Sequence, residues 1–225
     1  MTNVLIIIFS MTLIYLLAAG RLKTYATALA VQGVILFAIA FNELHGLREE
    51  NYVNLVFILI ETIIFKGIVV PLYLNYLIKK NKLYYEREPD ETNFFALFKI
   101  GLIFILSLYL GYALHNGNFQ IGEAYRLSEN TFKITYFTAS ISAVFTGILM
   151  LTRRKKIITL IVGYLVLENG LFMLSLALGN EMPIVVNLGI LFDIFTTVFL
   201  LGIFLTRVKN VFEDLDISKL TELKD

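Results

Sequence analysis

Cysteine is absent from the chain, which excludes disulfides, thiolate metal sites and cysteine nucleophiles. Tryptophan is absent as well, and histidine is scarce. His45 and His115 both fall near predicted helix ends, so no histidine-based metal site is expected. No phosphate loop, no nucleophile with its base and no quinone or haem ligand set can be found, so the chain is not expected to be an enzyme on its own or to hold a cofactor. No low-complexity stretch or Gly/Pro-rich linker interrupts it, and residues 1–225 read as a single domain. The net charge of +1 says little about partners, and nucleic acid is not expected as one.

Apolar residues are abundant. They make up 58% of the chain, where a soluble domain rarely exceeds about half. The excess lies in seven blocks, at 4–19, 25–44, 53–78, 94–114, 132–151, 157–178 and 184–205. Each is near the ~20 residues that a helix needs to cross the hydrocarbon, and none alternates as a barrel strand would. The first lacks a basic leader and a small-residue cleavage site, so it reads as a retained helix. The fold expected is all-α, a polytopic transmembrane bundle of about seven spans.

Lysine and arginine sort by side. Arg21 and Lys23, then Lys79, Lys80, Lys82 and Arg87, then Arg153, Arg154, Lys155 and Lys156, then Arg207 and Lys209 share one side. Only Arg48, Arg126 and Lys133 fall on the other. The positive-inside rule makes the first set cytoplasmic, with the N-terminus outside and the C-terminus inside. Lys99 is close enough to the cytoplasmic end of its span to snorkel. Residues 79–93 read as a solvated connector. The tail 211–225 alternates apolar and acidic residues, which suits a docking amphipathic segment and a solvated tail equally. Residues 1–78 and 132–206 repeat the order helix, basic turn, helix, helix with an acid, a candidate three-helix repeat joined by the span 94–114.

Charges inside spans carry the functional information, because each costs roughly 2.5–3.5 kcal/mol at a helix centre. Span three holds Glu61 and Lys66. In an α-helix these lie ~7.5 Å apart along the axis and do not ideally share a face, whereas Thr62 does share the face of Lys66. Pro71 denies the Gly67 carbonyl its α-helical donor, so a local kink is expected beside the lysine. Span six holds Glu168 at its middle, with Tyr164, Phe172 and Ser175 on or near the same face and Asn169 beside it. Burial in a weakly polar site disfavours the charged form of a carboxyl, which makes Glu168 a candidate for reversible proton exchange. Span seven lines up Gly189, Asp193, Thr196 and Thr197, a stripe that serves helix packing or a proton path. Few in-span polar groups look able to satisfy one another within one chain. Lys66 and the acids are therefore expected to face other subunits or internal water.

Several of these motifs carry a family resemblance. Ile64-Phe65-Lys66-Gly67-Ile68-Val69-Val70-Pro71-Leu72 resembles the span-three signature of hydrogenase-4 component E. So do Gly163-Tyr164 with Leu167-Glu168-Asn169-Gly170, Gly189 with Asp193, and Leu215-Asp216 with Leu220-Thr221-Glu222-Leu223-Lys224. The resemblance runs from the first span to the C-terminus, with the motifs in the expected order. It implies a non-catalytic membrane-arm subunit of a group 4 hydrogenase or formate hydrogenlyase-like complex, in a bacterial or archaeal cytoplasmic membrane beside antiporter-like subunits. It also implies a C-terminal half similar to the small K-type (4L) subunit of complex I, where two in-membrane glutamates form part of a proton path. Glu168 matches the first of these acids. Asp193 lies near the second and is one carbon shorter. Glu61 and Lys66 join them as expected proton-path residues, with Tyr164, Asn169, Thr62, Thr196 and Thr197 in support. A structural adaptor, or a subunit of a cation-antiporter or carbon-uptake complex, is the alternative reading.

Overall fold

The computed structural model describes residues 2–44, 56, 58–80, 93–115, 131–153, 156–178, 199 and 202. Every element among them is helical: α1 (Thr2–Ala18), α2 (Leu22–Leu44), α3 (Ile60–Lys80), α4 (Asn93–His115), α5 (Thr131–Arg153) and α6 (Ile157–Leu178). Four of these, α2, α3, α5 and α6, are long and apolar enough to cross a membrane. At 1.5 Å per residue the 17 residues of α1 reach about 26 Å, a little short of the hydrocarbon thickness. The seventh apolar block lies outside the described residues, apart from Phe199 and Gly202.

α2 is the hub of one side, packing on α1, α3 and α6, while α5 lies between α6 and α4 and also touches α1. Large apolar side chains fill the interior, among them Phe9, Leu13, Tyr25, Leu36, Leu74 and Tyr136. The outer faces are just as apolar. Leu72 is 64% exposed, Ile105 69% and Tyr109 66%, an arrangement that lipid solvates and water does not. Apolar burial therefore gives little direction to helix pairing, and close contact at small residues and internal hydrogen bonds must supply it.

Glycine supplies the close contact at two seams. Between α5 and α6, a Cβ on Gly147 would come within 2.7 Å of the Gly163 carbonyl oxygen and the Leu167 amide nitrogen. Between α2 and α3, a Cβ on Gly33 would meet the Thr62 carbonyl oxygen at 2.7 Å and the Gly67 nitrogen at 2.8 Å. In both seams the obstacle is backbone, which cannot swing aside, so only glycine allows the approach.

α3 departs from the expected geometry. Its first ten residues, Ile60–Val69, wind as a π-helix, and Val70–Lys80 continue as α-helix. The Val70 N–H donates to the Phe65 carbonyl five residues back, so the wide winding ends immediately before Pro71. A proline ring collides with the carbonyl four residues earlier in an α-helix. The structure meets that conflict with a long π-wound stretch before the proline, where the sequence pointed only to a local kink.

Candidate functional site: a buried ionic cluster between α3 and α6

The π winding decides where the charges go. Hydrogen bonds from residue i to i+5 widen the turn and bring side chains five apart much nearer to one face than an α-helix does. Glu61 and Lys66 are such a pair, and Lys66 Nζ lies 3.0 Å from Glu61 Oε1. The expectation that they share a face poorly is thus corrected, because it assumed α-helical rotation. Thr62 is buried, but its hydroxyl donates to the Ile58 carbonyl at 2.6 Å, so it serves its own helix.

Lys66 also reaches across the bundle. Its Nζ lies 2.6 Å from Glu168 Oε1 on α6, although α3 packs chiefly on α2. The long lysine stem bridges the remaining gap. The Phe172 ring, one turn beyond Glu168, stands 5.0 Å from the ammonium and offers it a cation–π face. Glu61, Lys66 and Glu168 are 2%, 4% and 5% exposed. Two carboxylates thus share one ammonium in a nearly dry interior. Fully ionised, the three groups carry one negative charge in excess, and a single proton makes the cluster neutral.

This placement corrects two further expectations. Glu168 does not sit in a merely weakly polar pocket with Tyr164, Phe172 and Ser175, because an ammonium is within contact distance. Nor do the charged groups turn outward: Glu61, Lys66 and Glu168 meet one another inside a single chain. The reason is again the wide turn, which aims Lys66 at its own glutamate and at α6 together.

A hydrogen-bonded amide chain adjoins the cluster. Asn169, next to Glu168, donates from Nδ2 to Gln32 Oε1 at 3.0 Å. Gln32 in turn donates from Nε2 to Thr12 Oγ1 at 2.8 Å, and Thr12 donates to the Phe9 carbonyl at 2.6 Å. Three helices, α1, α2 and α6, are tied together in this way. Asn169 Oδ1 and Glu61 Oε2 are buried acceptors that no described donor reaches. Asn169 was anticipated as a supporting residue, whereas Gln32 and Thr12 were not. Neither carries a charge, yet a buried amide at mid-span carries the same signal in weaker form. Tyr164 is half-buried one turn before Glu168 on α6. Asp193, Thr196 and Thr197 lie outside the described residues.

Comparison with known proteins adds little beyond this geometry. No family model matches the chain. No solved structure matches it either. Over 87 residues it is 30% identical to the uncharacterized protein Rv0085 of Mycobacterium tuberculosis, a match covering 39% of this chain and 40% of that one. The chain therefore spans less than half the length of the curated relative it matches, and is similar to it over that part.

Proposed function

We propose that the chain is a non-catalytic membrane-arm subunit of a redox-driven, complex I-like proton-translocating assembly of the group 4 hydrogenase type. The observation that carries this reading is the Glu61–Lys66–Glu168 cluster, a buried group of charges that one proton brings from a single negative charge to neutrality. A relay needs such a site. The proton arriving on one carboxylate leaves Lys66 to pair with the other, and its departure restores the shared state. The motif resemblance to hydrogenase-4 component E supports the same reading and supplies its context: seven spans, the N-terminus outside, a bacterial or archaeal cytoplasmic membrane, antiporter-like neighbours, and Asp193 as a further station on the path.

One observation favours a second reading. The charges are closed within one chain at 2.6 and 3.0 Å, as a static clamp between α3 and α6 would also be. A structural adaptor between antiporter-like subunits needs nothing more. Proton pumping by membrane vesicles carrying Glu168→Gln in the assembled complex separates the two. The relay requires pumping to fall sharply while the amount of complex is retained. Normal pumping by this variant leaves the adaptor.

A further inference from the structure

We infer that the Gln32-Gly33 step of α2 is the positioning element of the ionic cluster, setting both contacts of Lys66 without touching a charge. The inference rests on reading Glu61, Lys66 and Glu168 as the proton-handling group, and it assigns α2 a role that its lack of charge conceals.

Two consecutive residues of α2 hold the two halves of the cluster. Gln32 accepts from Asn169, the residue beside Glu168 on α6. Gly33 lies against the backbone of α3 at Thr62 and Gly67, and a Cβ there would fall 2.7 Å from the Thr62 oxygen, 2.8 Å from the Gly67 nitrogen and 3.0 Å from the Gly67 Cα. Thr62 and Gly67 are themselves five apart within Ile60–Val69, the spacing that a π-helical hydrogen bond joins. Gly33 therefore packs directly on one rung of the π ladder, the rung beside the Glu61–Lys66 pair.

Two consequences follow for the lysine. Moving α2 off that rung would free α3 to take up α-helical rotation, which carries Glu61 and Lys66 to different faces. It would also change the separation of α3 and α6, because α3 leans on α2 and α2 is pinned to α6 through Gln32. A separation of 2.6 Å leaves the Lys66–Glu168 contact no slack.

The test uses the full-length protein, 13C-labelled at glutamate and reconstituted in lipid vesicles. The infrared carbonyl band of protonated glutamic acid is titrated, and the part belonging to the cluster is that which Glu61→Gln and Glu168→Gln remove. Gly33→Ala should shift the midpoint of that band about tenfold in proton concentration in the protein that inserts. In a Glu61→Gln background the same change should add little, because the contact it disturbs is already gone. Gln32→Met keeps the backbone approach and releases Asn169, and it should shift the Glu168 part of the band, so the inference remains testable if Gly33→Ala does not insert. Wild-type titration in both Gly33→Ala and Gln32→Met overturns the assignment. So does a Gly33→Ala shift that persists in full in the Glu61→Gln background, which would mark a general packing effect. Normal pumping by Glu168→Gln would instead remove the relay while leaving the titration result standing.

Discussion

Replacing Lys66 by Met removes the cation that Glu61 and Glu168 share, and nearly keeps side-chain length. The ammonium lies 3.0 Å from one carboxylate and 2.6 Å from the other, with side-chain exposures of 4%, 3% and 7% for Lys66, Glu61 and Glu168. Solvent cannot replace it at that burial. Removing one partner of a buried ion pair costs about 3–5 kcal/mol, because a charge or an unsatisfied acid remains behind. Two carboxylates are left here, so the upper half of that range is expected, roughly three to four powers of ten in the folded-to-unfolded ratio. The triple variant Glu61→Gln, Lys66→Met, Glu168→Gln leaves no uncompensated charge and should be the more stable of the two, despite carrying three changes. The assay is reversible denaturation in mixed micelles, comparing wild type, single and triple variants. A Lys66→Met protein as stable as wild type, or a triple variant weaker than the single one, would refute the ion-pair account.

Gly147→Ala should destabilise by about 1–3 kcal/mol through overpacking, since its Cβ would meet the backbone of α6 at 2.7 Å; Gly101→Ala, with nothing within 4 Å, should be neutral or better in the same assay. Thr12→Val, which removes the acceptor of Gln32 Nε2, should cost about 0.6 kcal/mol and less than 2, the range of interhelical hydrogen bonds in membranes. In pumping assays Glu168→Asp should retain more activity than Glu168→Gln, because the acid survives and only its reach changes; the reverse order would favour the static clamp. A reporter placed between Lys80 and Asn93 should read out as cytoplasmic, and a periplasmic signal would break the seven-span arrangement drawn from the lysine and arginine asymmetry.

The positions of the helices were open to view in the sequence, because hydrophobic length alone sets them. The blocks at 4–19, 25–44, 94–114, 132–151 and 157–178 fall on α1, α2, α4, α5 and α6 with shifts of a few residues at the ends. Glu61, Lys66 and Glu168 also stood out, because a charge in an apolar run is conspicuous. Their meeting did not. It depends on a ten-residue π winding, and a spacing of five residues corresponds to a different angle on an α-helix. Pro71 signalled a disturbance at the right place, but proline specifies only that the α ladder must fail there, and several windings satisfy that condition.

A subtler regularity ties the charges to the packing. Three buried polar residues in and beside the cluster, Gln32, Lys66 and Asn169, are each followed by glycine, at Gly33, Gly67 and Gly170. Each of these glycines faces a neighbouring helix closely. A Cβ on Gly33 would meet the α3 backbone at 2.7 Å, and one on Gly170 would meet the Val144 nitrogen of α5 at 2.8 Å, while Gly67 lies in the α2 seam. Adjacent residues of a helix project about 100° apart, so the polar side chain and the glycine gap point to different neighbours. The glycine draws one neighbour in close, which keeps lipid out, while the polar group reaches a second. Three lipid-facing charges would cost roughly 8–10 kcal/mol on insertion scales. Placed beside these seams they face one another instead, and the cost is offset by their mutual contacts. The pairing of a polar residue with a following glycine, three times in a chain of 14 glycines, is therefore one arrangement read at two levels: the gap that lets helices close and the charge that the closure shelters.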